Sequence, residues 1–341
     1  MKKITKILLI SVMLFATVAC SKEQKTESGE IAYIMDYNNE VLLRENTAIS
    51  AAIASYATEN SLTFAEYKMT DFGSNTFSNT VDLAVIAGAK IVFVSKEHTS
   101  DLLNIHADYP DLQFVLLEEV FDFEVTSEVN NVVSVCFNWY EFGYISSYLA
   151  MTLPLETIAF VDHSASVIED RFFNGITQGI NDSAMSMDKK AIIQVYSTQG
   201  LHSDRITDKI REIAQGNYDF ITYFSEDVFK TVSRYSSVHG RNYMTLNNGT
   251  SNDVSVLMTI NVNFDVIIKL TLDDYYRGGF TEVFYVYGIR EGAASIGYNH
   301  SAFTMEQINA HDMRLKNIVE GLLLLEDGNS NLDNVTINNE E

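Results

Sequence analysis

A regular alternation of short apolar runs with stretches of helical periodicity, starting at Ile31, constrains the fold more than any other feature. In the stretch Arg44–Asn60, apolar residues recur at the spacing of one helix face. Such an alternation is typical of a parallel sheet that is covered by helices on both faces. The first half of the chain predicts strands at Ile31–Met35, Ile91–Val94, Gln113–Leu117 and Val132–Phe137.

The alternation then restarts, which predicts a second α/β unit. A helix at Tyr140–Leu153 leads into it, and an amphipathic helix from about Thr304 to Leu325 closes it. From Asp327 the chain is rich in Asn and Asp, and residues 326–341 are expected to form a frayed polar tail. Two such units predict two lobes with a cleft at the carboxyl ends of their strands. The further strands are predicted at Thr157–Val161, Ile192–Tyr196, Asp219–Tyr223, Tyr243–Leu246, Val256–Ile260 and Glu282–Tyr287.

The charge balance argues against nucleic-acid partners. The 341 residues carry 23 Lys and Arg against 46 Asp and Glu, a formal charge of −23. A body this acidic repels phosphate backbones. With 46% hydrophobic residues the chain can bury a substantial core, so global disorder is not expected.

The amino terminus has the pattern of an export signal. A basic segment with Lys2, Lys3 and Lys6 precedes an apolar run, Ile7–Ala19, that is too short to cross a membrane. The run ends at Ala19-Cys20 and turns polar at once, which resembles a bacterial lipobox. Residues 1–20 are therefore predicted to be a lipoprotein signal peptide and 21–30 a flexible tether, with Cys20 acylated, for example by palmitate. An ordinary cleaved signal is the alternative. Either way, the body is expected outside the cytoplasm, and with lipidation it is held on the outer face of the cell membrane.

Catalytic, metal and cofactor motifs are absent from the sequence. His98 and His106 lie eight residues apart, and no histidine spacing typical of zinc occurs. No nucleophile elbow or phosphate loop is found. Cys136 lies in an apolar run and is expected to be a buried small residue. The sequence therefore predicts neither an enzyme nor a cofactor or metal site.

Several segments in the same order resemble the basic membrane lipoprotein family, the lipid-anchored substrate-binding proteins of ABC transporters that include purine nucleoside receptors. This resemblance covers essentially the whole mature chain. It implies a type I periplasmic-binding-protein fold, with lobe 1 at 31–133 plus 252–284 and lobe 2 at 134–251 plus 285–325. The segments that carry it are Tyr109–Phe114, Asn131–Ser134, Glu141–Tyr144, Val167–Gly175, Ala214–Ile221 and Asp265–Val266.

The resemblance also implies ligand-binding positions. Asp36 and Asn46 match the family residues that hydrogen-bond the base, whereas Glu45 replaces the aromatic residue that stacks on it. Tyr37 is expected to compensate, with Phe72 and Phe77 as alternatives. Asn247 stands where the family has the Asp that holds the ribose hydroxyls. A family Lys falls on Val262, and the family glycine loop aligns with Ser225-Glu226-Asp227-Val228.

These changes lead to a hypothesis about the ligand. Asp36, Glu45, Glu226 and Asp227 fall in predicted cleft loops, so the cleft is expected to prefer a cationic or polyhydroxyl ligand to a plain purine. The predicted function is a lipid-anchored substrate-binding protein that delivers a small polar ligand, a nucleoside by default, to an ABC permease. The alternative is a surface lipoprotein with a degenerate pocket that contacts host or envelope macromolecules.

Overall fold

A computed structural model describes the body of the chain as helices alternating with strands. It describes residues 29–37, 40–69, 74–119, 131–164, 166–246, 253–323, 325 and 332–340, without the side chains of 40–42, 74–75 and 226–227. Cys20, Phe72 and Asn247 lie outside the described residues. The strands are β1 Ile31–Asp36, β2 Phe64–Met69, β3 Ile91–Val94, β4 Gln113–Leu117, β5 Val132–Phe137, β6 Thr157–Asp162, β7 Ala191–Ser197, β8 Phe220–Tyr223, β9 Asn242–Leu246, β10 Val256–Val262, β11 Phe284–Tyr287, β12 Ala294–Tyr298 and β13 Val335–Glu340.

The helices lie between these strands in the order expected of a doubly wound protein. Short 3₁₀ turns at Lys96–His98 and His106–Asp108 flank the third helix. The helices are α1 Glu40–Glu59, α2 Ser74–Ile86, α3 Thr99–Ile105, α4 Trp139–Ala150, α5 Val167–Ser186, α6 Ser203–Gln215, α7 Glu226–His239, α8 Phe264–Gly278 and α9 Met305–Val319.

The strands form two sheets, and each sheet is the centre of one lobe. The first has six strands in the order β11-β5-β4-β3-β1-β2, and all its pairs are parallel. The second has seven strands in the order β12-β10-β9-β8-β6-β7-β13. Its pairs are parallel except β10 with β12. The alternation in the sequence thus predicts the architecture.

The chain passes between the lobes at different residues than the predicted boundaries. Residues 252–284 were expected in the first lobe, but β10 pairs with β9 in the second sheet. β11 pairs with β5 in the first sheet, although the second lobe was expected to resume at 285. The crossovers therefore follow β5, β10 and β11. The pattern could not place them, because β10 is as apolar as the strands of either lobe.

The largest buried apolar cluster includes side chains from both sheets. Met35 and Phe137 of the first lobe belong to the same cluster as Phe160 and Met258 of the second. Two smaller clusters, one in each lobe, fill the other faces of the sheets. The two lobes are therefore joined by packing as well as by the three chain crossovers.

The carboxyl-terminal tail is not frayed as predicted. Residues 335–340 form β13, which pairs in parallel with β7 at the sheet edge. Asn334 N–H donates to Asn181 Oδ1 (3.1 Å), and Lys209 Nζ lies 2.9 Å from the Glu340 carboxylate. The strand escaped prediction because it lies at an exposed edge and has few apolar residues, so alternation is weak there. The preceding helix α9 ends at Val319, six residues before the predicted end.

Candidate functional site

The crossovers are tied to one another at the junction of the lobes. The Asn138 N–H donates to Tyr287 O (2.9 Å), which joins the first crossover to the end of β11. Asn138 also caps α4, since its side chain accepts the Glu141 N–H. The Glu141 carboxylate in turn accepts the Ile289 N–H at 2.5 Å. Burial raises the pKa of this carboxyl, and the Ile289 hydrogen bond opposes that rise. Two of the three crossovers thus form one hydrogen-bonded hinge.

The predicted residues Asp36 and Asn46 lie together at the carboxyl end of β1. Asn46 Nδ2 donates to Asp36 O (2.9 Å), and Asn46 Oδ1 accepts from the Tyr33 hydroxyl (2.7 Å). Both residues are buried at 3% exposure. The Asn46 amide therefore fastens α1 to the end of β1. A contact with a ligand remains a prediction for both residues.

Tyr37 lies in a depression at the outer edge of the first sheet. Its side chain is 45% exposed, and the Lys68 ammonium lies 4.9 Å from the centre of its ring. The depression measures about 250 Å³, and Thr47, Ser50 and Glu66 also line it. Tyr37 is thus placed with residues of α1 and β2. Stacking of Tyr37 on a ligand stays a prediction.

Glu45 faces the side chain of Lys96, which sequence analysis did not identify as part of the site. Lys96, just after β3, places its Nζ 3.9 Å from a Glu45 carboxylate oxygen. Glu45 is the largest cause of the raised pKa of Lys96, and burial opposes it. Burial is the main cause of the raised pKa of the neighbouring Glu97. Glu45 and Glu97 make this side of lobe 1 acidic, but Lys96 partly neutralises the charge of Glu45.

Glu118 is the most perturbed acid at this junction, and sequence reasoning missed its role. It follows β4 with a φ of 56° and is 6% exposed. Its carboxylate accepts the Trp139 indole N–H and the Phe137 backbone N–H, both at 2.7 Å. Burial raises its pKa to about 7, and Glu45 adds to the rise, whereas both hydrogen bonds and Lys96 oppose it.

Trp139, which donates to the Glu118 carboxylate, belongs to an aromatic cluster between the lobes. We call this the junction cluster; its members are Phe137, Trp139, Phe172 and Phe224. The Trp139 and Phe224 rings meet edge to face at 4.8 Å, and Phe172 lies 5.4 Å from Phe224. Phe137 lies 5.8 Å from Trp139. Phe137 and Trp139 lie close together in the sequence, at the first crossover. Only the tertiary fold brings Phe172 and Phe224 to the same place.

The lobe 2 side of the junction carries Glu169 and Arg171. The buried Glu169 carboxylate accepts the backbone N–H groups of His163 (3.1 Å) and Ser164 (2.5 Å), which shapes the loop after β6. Burial raises its pKa, and these hydrogen bonds oppose the rise. The Arg171 guanidinium lies 5.5 Å from the Phe284 ring across the junction. The predicted Glu226 and Asp227 start α7, but their side chains lie outside the described set.

Within the described ranges, no three His, Cys, Asp or Glu side chains converge as metal ligands would. The same part of the chain contains no helix with the length and apolarity required to cross a bilayer.

Comparisons with known proteins show the fold. No protein-family model matches the sequence, and no curated protein matches it. Solved structures do match. An ABC-transporter solute-binding protein from Aeropyrum pernix K1 superimposes with a TM-score of 0.66 at 12% identity, covering 88% of this chain and 94% of its own. A solute-binding protein from Actinobacillus succinogenes 130z with bound D-allose gives 0.60 at 8% identity, over 80% and 98%.

A protein from Bacillus halodurans described as a transcriptional activator of the comK gene gives a TM-score of 0.69 at 13% identity. That match covers 87% of this chain and all of the other. At such identities the likeness concerns the fold alone. Together with the two sheets and three crossovers, these matches show a type I periplasmic-binding-protein fold, as the resemblance implied.

Proposed function

We propose that the protein is an extracytoplasmic solute-binding lipoprotein that delivers a small polar ligand to an ABC permease. One observation carries this proposal. Charged and aromatic side chains of both lobes meet at the junction, where the carboxyl ends of the strands converge. In α/β sheets this is the edge at which ligands bind. The hydrogen-bonded hinge between Asn138, Glu141, Tyr287 and Ile289 would allow the lobes to close over a ligand.

The matches to solved structures support a binding role rather than a catalytic one. Two of the matched solute-binding proteins are described with bound D-allose and bound 5-methylthioribose. In this proposal Cys20 carries the lipid anchor that holds the body at the outer face of the membrane, and residues 21–30 act as the tether. Glu45 and Glu97 on the lobe 1 side favour ligands that donate hydrogen bonds.

A nucleoside is the first ligand to test, because the sequence resembles the basic membrane lipoprotein family. Glu45 occupies the position of the family's stacking aromatic residue, and loss of such a platform costs about 1–3 kcal/mol by analogy with base stacking elsewhere. We therefore expect polyhydroxyl or cationic compounds to bind at least as well as plain purines. In this proposal Asp36 and Asn247 form hydrogen bonds with the ligand. Tyr37, Asn46 and Glu226 lie at the edge of the proposed ligand site.

A thermal-shift panel on residues 21–341 tests the function. It contains purine and pyrimidine nucleosides, sugars, amino acids and polyamines. A ligand at 100 times its dissociation constant adds about 2.7 kcal/mol of stability. Glu45→Gln should weaken the response to any compound that binds, whereas the matched change at exposed Glu282 should leave it unchanged. A panel without a single response would contradict the proposal.

A second function has one observation in its favour. Trp139, Phe172 and Phe224 pack on one another at the junction, and Glu118 is satisfied by two hydrogen bonds from the protein itself. Junction side chains whose contacts and hydrogen bonds are already made within the protein are consistent with a pocket that no longer binds a ligand. The protein would then be a surface lipoprotein that contacts host or envelope macromolecules. Immobilised residues 21–341 that retain an envelope or host component, without response to the panel, would support this function.

A further inference from the structure

The carboxyl-terminal strand forms one wall of a small open cavity beside α4 and α5 of the second lobe. The cavity measures about 220 Å³. It lies between the first turn of α4, the middle of α5 and β13. It is distinct from the junction cluster, with which it shares no lining residue. The residues that line it are Tyr140, Phe173, Asn174, Thr177, Gln178, Leu332 and Ile337.

The chemistry of the lining favours a neutral ligand. Tyr140, Phe173, Leu332 and Ile337 provide aromatic and aliphatic surface. None of the described lining side chains carries a charge, although the chain as a whole carries a formal charge of −23. A charged ligand would gain no ion pair from these side chains. The cavity therefore suits an apolar ring or a short apolar chain.

Gln178 adds a specific polar requirement. Its Nε2 donates to Asp182 Oδ1 at 2.6 Å, and this bond fixes the orientation of the amide. The other oxygen of Asp182 is held by the Tyr144 hydroxyl (2.8 Å) and the Arg314 guanidinium (2.9 Å). With the amide so fixed, Gln178 Oε1 is buried and accepts no hydrogen bond from the residues described. A buried acceptor without a donor is costly.

We propose that this cavity binds a small neutral ring compound with one O–H or N–H donor, and that the donor bonds to Gln178 Oε1. An engineered protein cavity of about 150 Å³ holds benzene, and drug-sized ligands need about 300 Å³ or more. A single ring with one substituent therefore fits, whereas a nucleoside is too large. Leu332 and Ile337 form one wall, so the site exists only while the carboxyl-terminal strand is in place. This site is independent of the ligand proposed for the junction.

Calorimetric titration of residues 21–341 with phenol and with toluene tests the proposal. The two compounds have the same ring and nearly the same size, and only phenol has a donor. Phenol is expected to bind about tenfold more tightly, the value of one hydrogen bond to a buried neutral acceptor. Equal affinities, or no binding of phenol, would overturn the proposal.

Two variants locate the site. Gln178→Leu should reduce phenol affinity to that of toluene and leave toluene binding intact, which also shows that the variant is folded. Ile337→Trp should fill the cavity and abolish binding of both compounds, whereas Ile86→Trp, on exposed surface of the other lobe, should change neither. Phenol binding that survives Gln178→Leu or Ile337→Trp would refute the assignment.

Discussion

Replacing Glu118 by Gln should change how stability depends on pH. The pKa of Glu118 is raised from 4.5 to about 7, chiefly by burial. The folded protein therefore binds this proton more tightly than the unfolded chain does. The stabilisation from Glu118 is fully present below about pH 4.5 and is lost as the pH rises to about 7. The side-chain amide of the Glu118→Gln variant would remain neutral throughout, as a protonated Glu118 does.

The magnitude follows from the size of the pKa shift. Each pKa unit corresponds to about 1.4 kcal/mol, so ionisation of Glu118 costs the folded state about 3 kcal/mol in full. Part of that cost is already present at pH 5. Between about pH 5 and about pH 8, the free energy of unfolding of wild type should therefore fall by about 2.5 kcal/mol relative to that of Glu118→Gln. Other titrating groups cancel in this difference.

Urea denaturation of both proteins at the two pH values measures the effect. The amide nitrogen of the variant cannot accept one of the two N–H groups that Glu118 binds, so the variant should be the less stable protein at the lower pH, by about 1–3 kcal/mol. Between the two pH values the difference should move by about 2.5 kcal/mol in favour of the variant. Glu282→Gln, at an exposed position, controls for the loss of one negative charge. A difference between wild type and Glu118→Gln that stays constant with pH would refute the reasoning about this carboxyl.

Three further predictions concern packing, acid stability and the sheet edge. Gly175→Ala should cost about 1–3 kcal/mol in urea denaturation, because the added Cβ clashes with the Tyr140 carbonyl between α4 and α5. The control Met185→Ala, at a 61% exposed position of the same helix, should be near neutral. Burial lowers the pKa of His311, so the folded state should lose stability as the pH drops below about 6.5. In thermal melts, the melting temperature of His311→Gln should fall less over this pH range than that of wild type. Deleting 332–341 should uncover the β7 edge and produce oligomers in light scattering, whereas an intact monomer after deletion would contradict this.

The sequence was a good guide to the fold because both sheets are largely buried. Strands such as Ile91–Val94 and Val132–Phe137 are buried throughout and were predicted at their observed bounds. The weaker strands were missed. Phe64–Met69 lies at a sheet edge with only two buried residues, and Ala294–Tyr298 has a single buried residue, so neither shows a clear apolar run.

The site was harder to predict, because its members come together only in the tertiary structure. Asp36 and Asn46 were predicted as ligand contacts, and the structure shows the Asn46 amide bonded within lobe 1, to Asp36 O and the Tyr33 hydroxyl. Glu118 looked like ordinary surface acidity in the pair Glu118-Glu119. Nothing local in the sequence indicates that Trp139 lies 21 residues later at the right place to donate to it. Its position directly after the predicted strand Gln113–Leu117, where cleft loops begin, was the sequence signal that could have singled out Glu118.

The distance between the lobes provides the most direct test of the central claim. Spin labels at Ile86→Cys in lobe 1 and Val238→Cys in lobe 2 would sit on side chains that are 73% and 71% exposed. The native Cys136 is buried and should not be labelled. Electron spin resonance on residues 21–341 then measures the interlobe distance with and without each compound of the ligand panel. We expect at least one compound to shift that distribution, while a pair of labels at Val238 and Met185 within lobe 2 stays unchanged. A distribution that no compound alters would contradict the account.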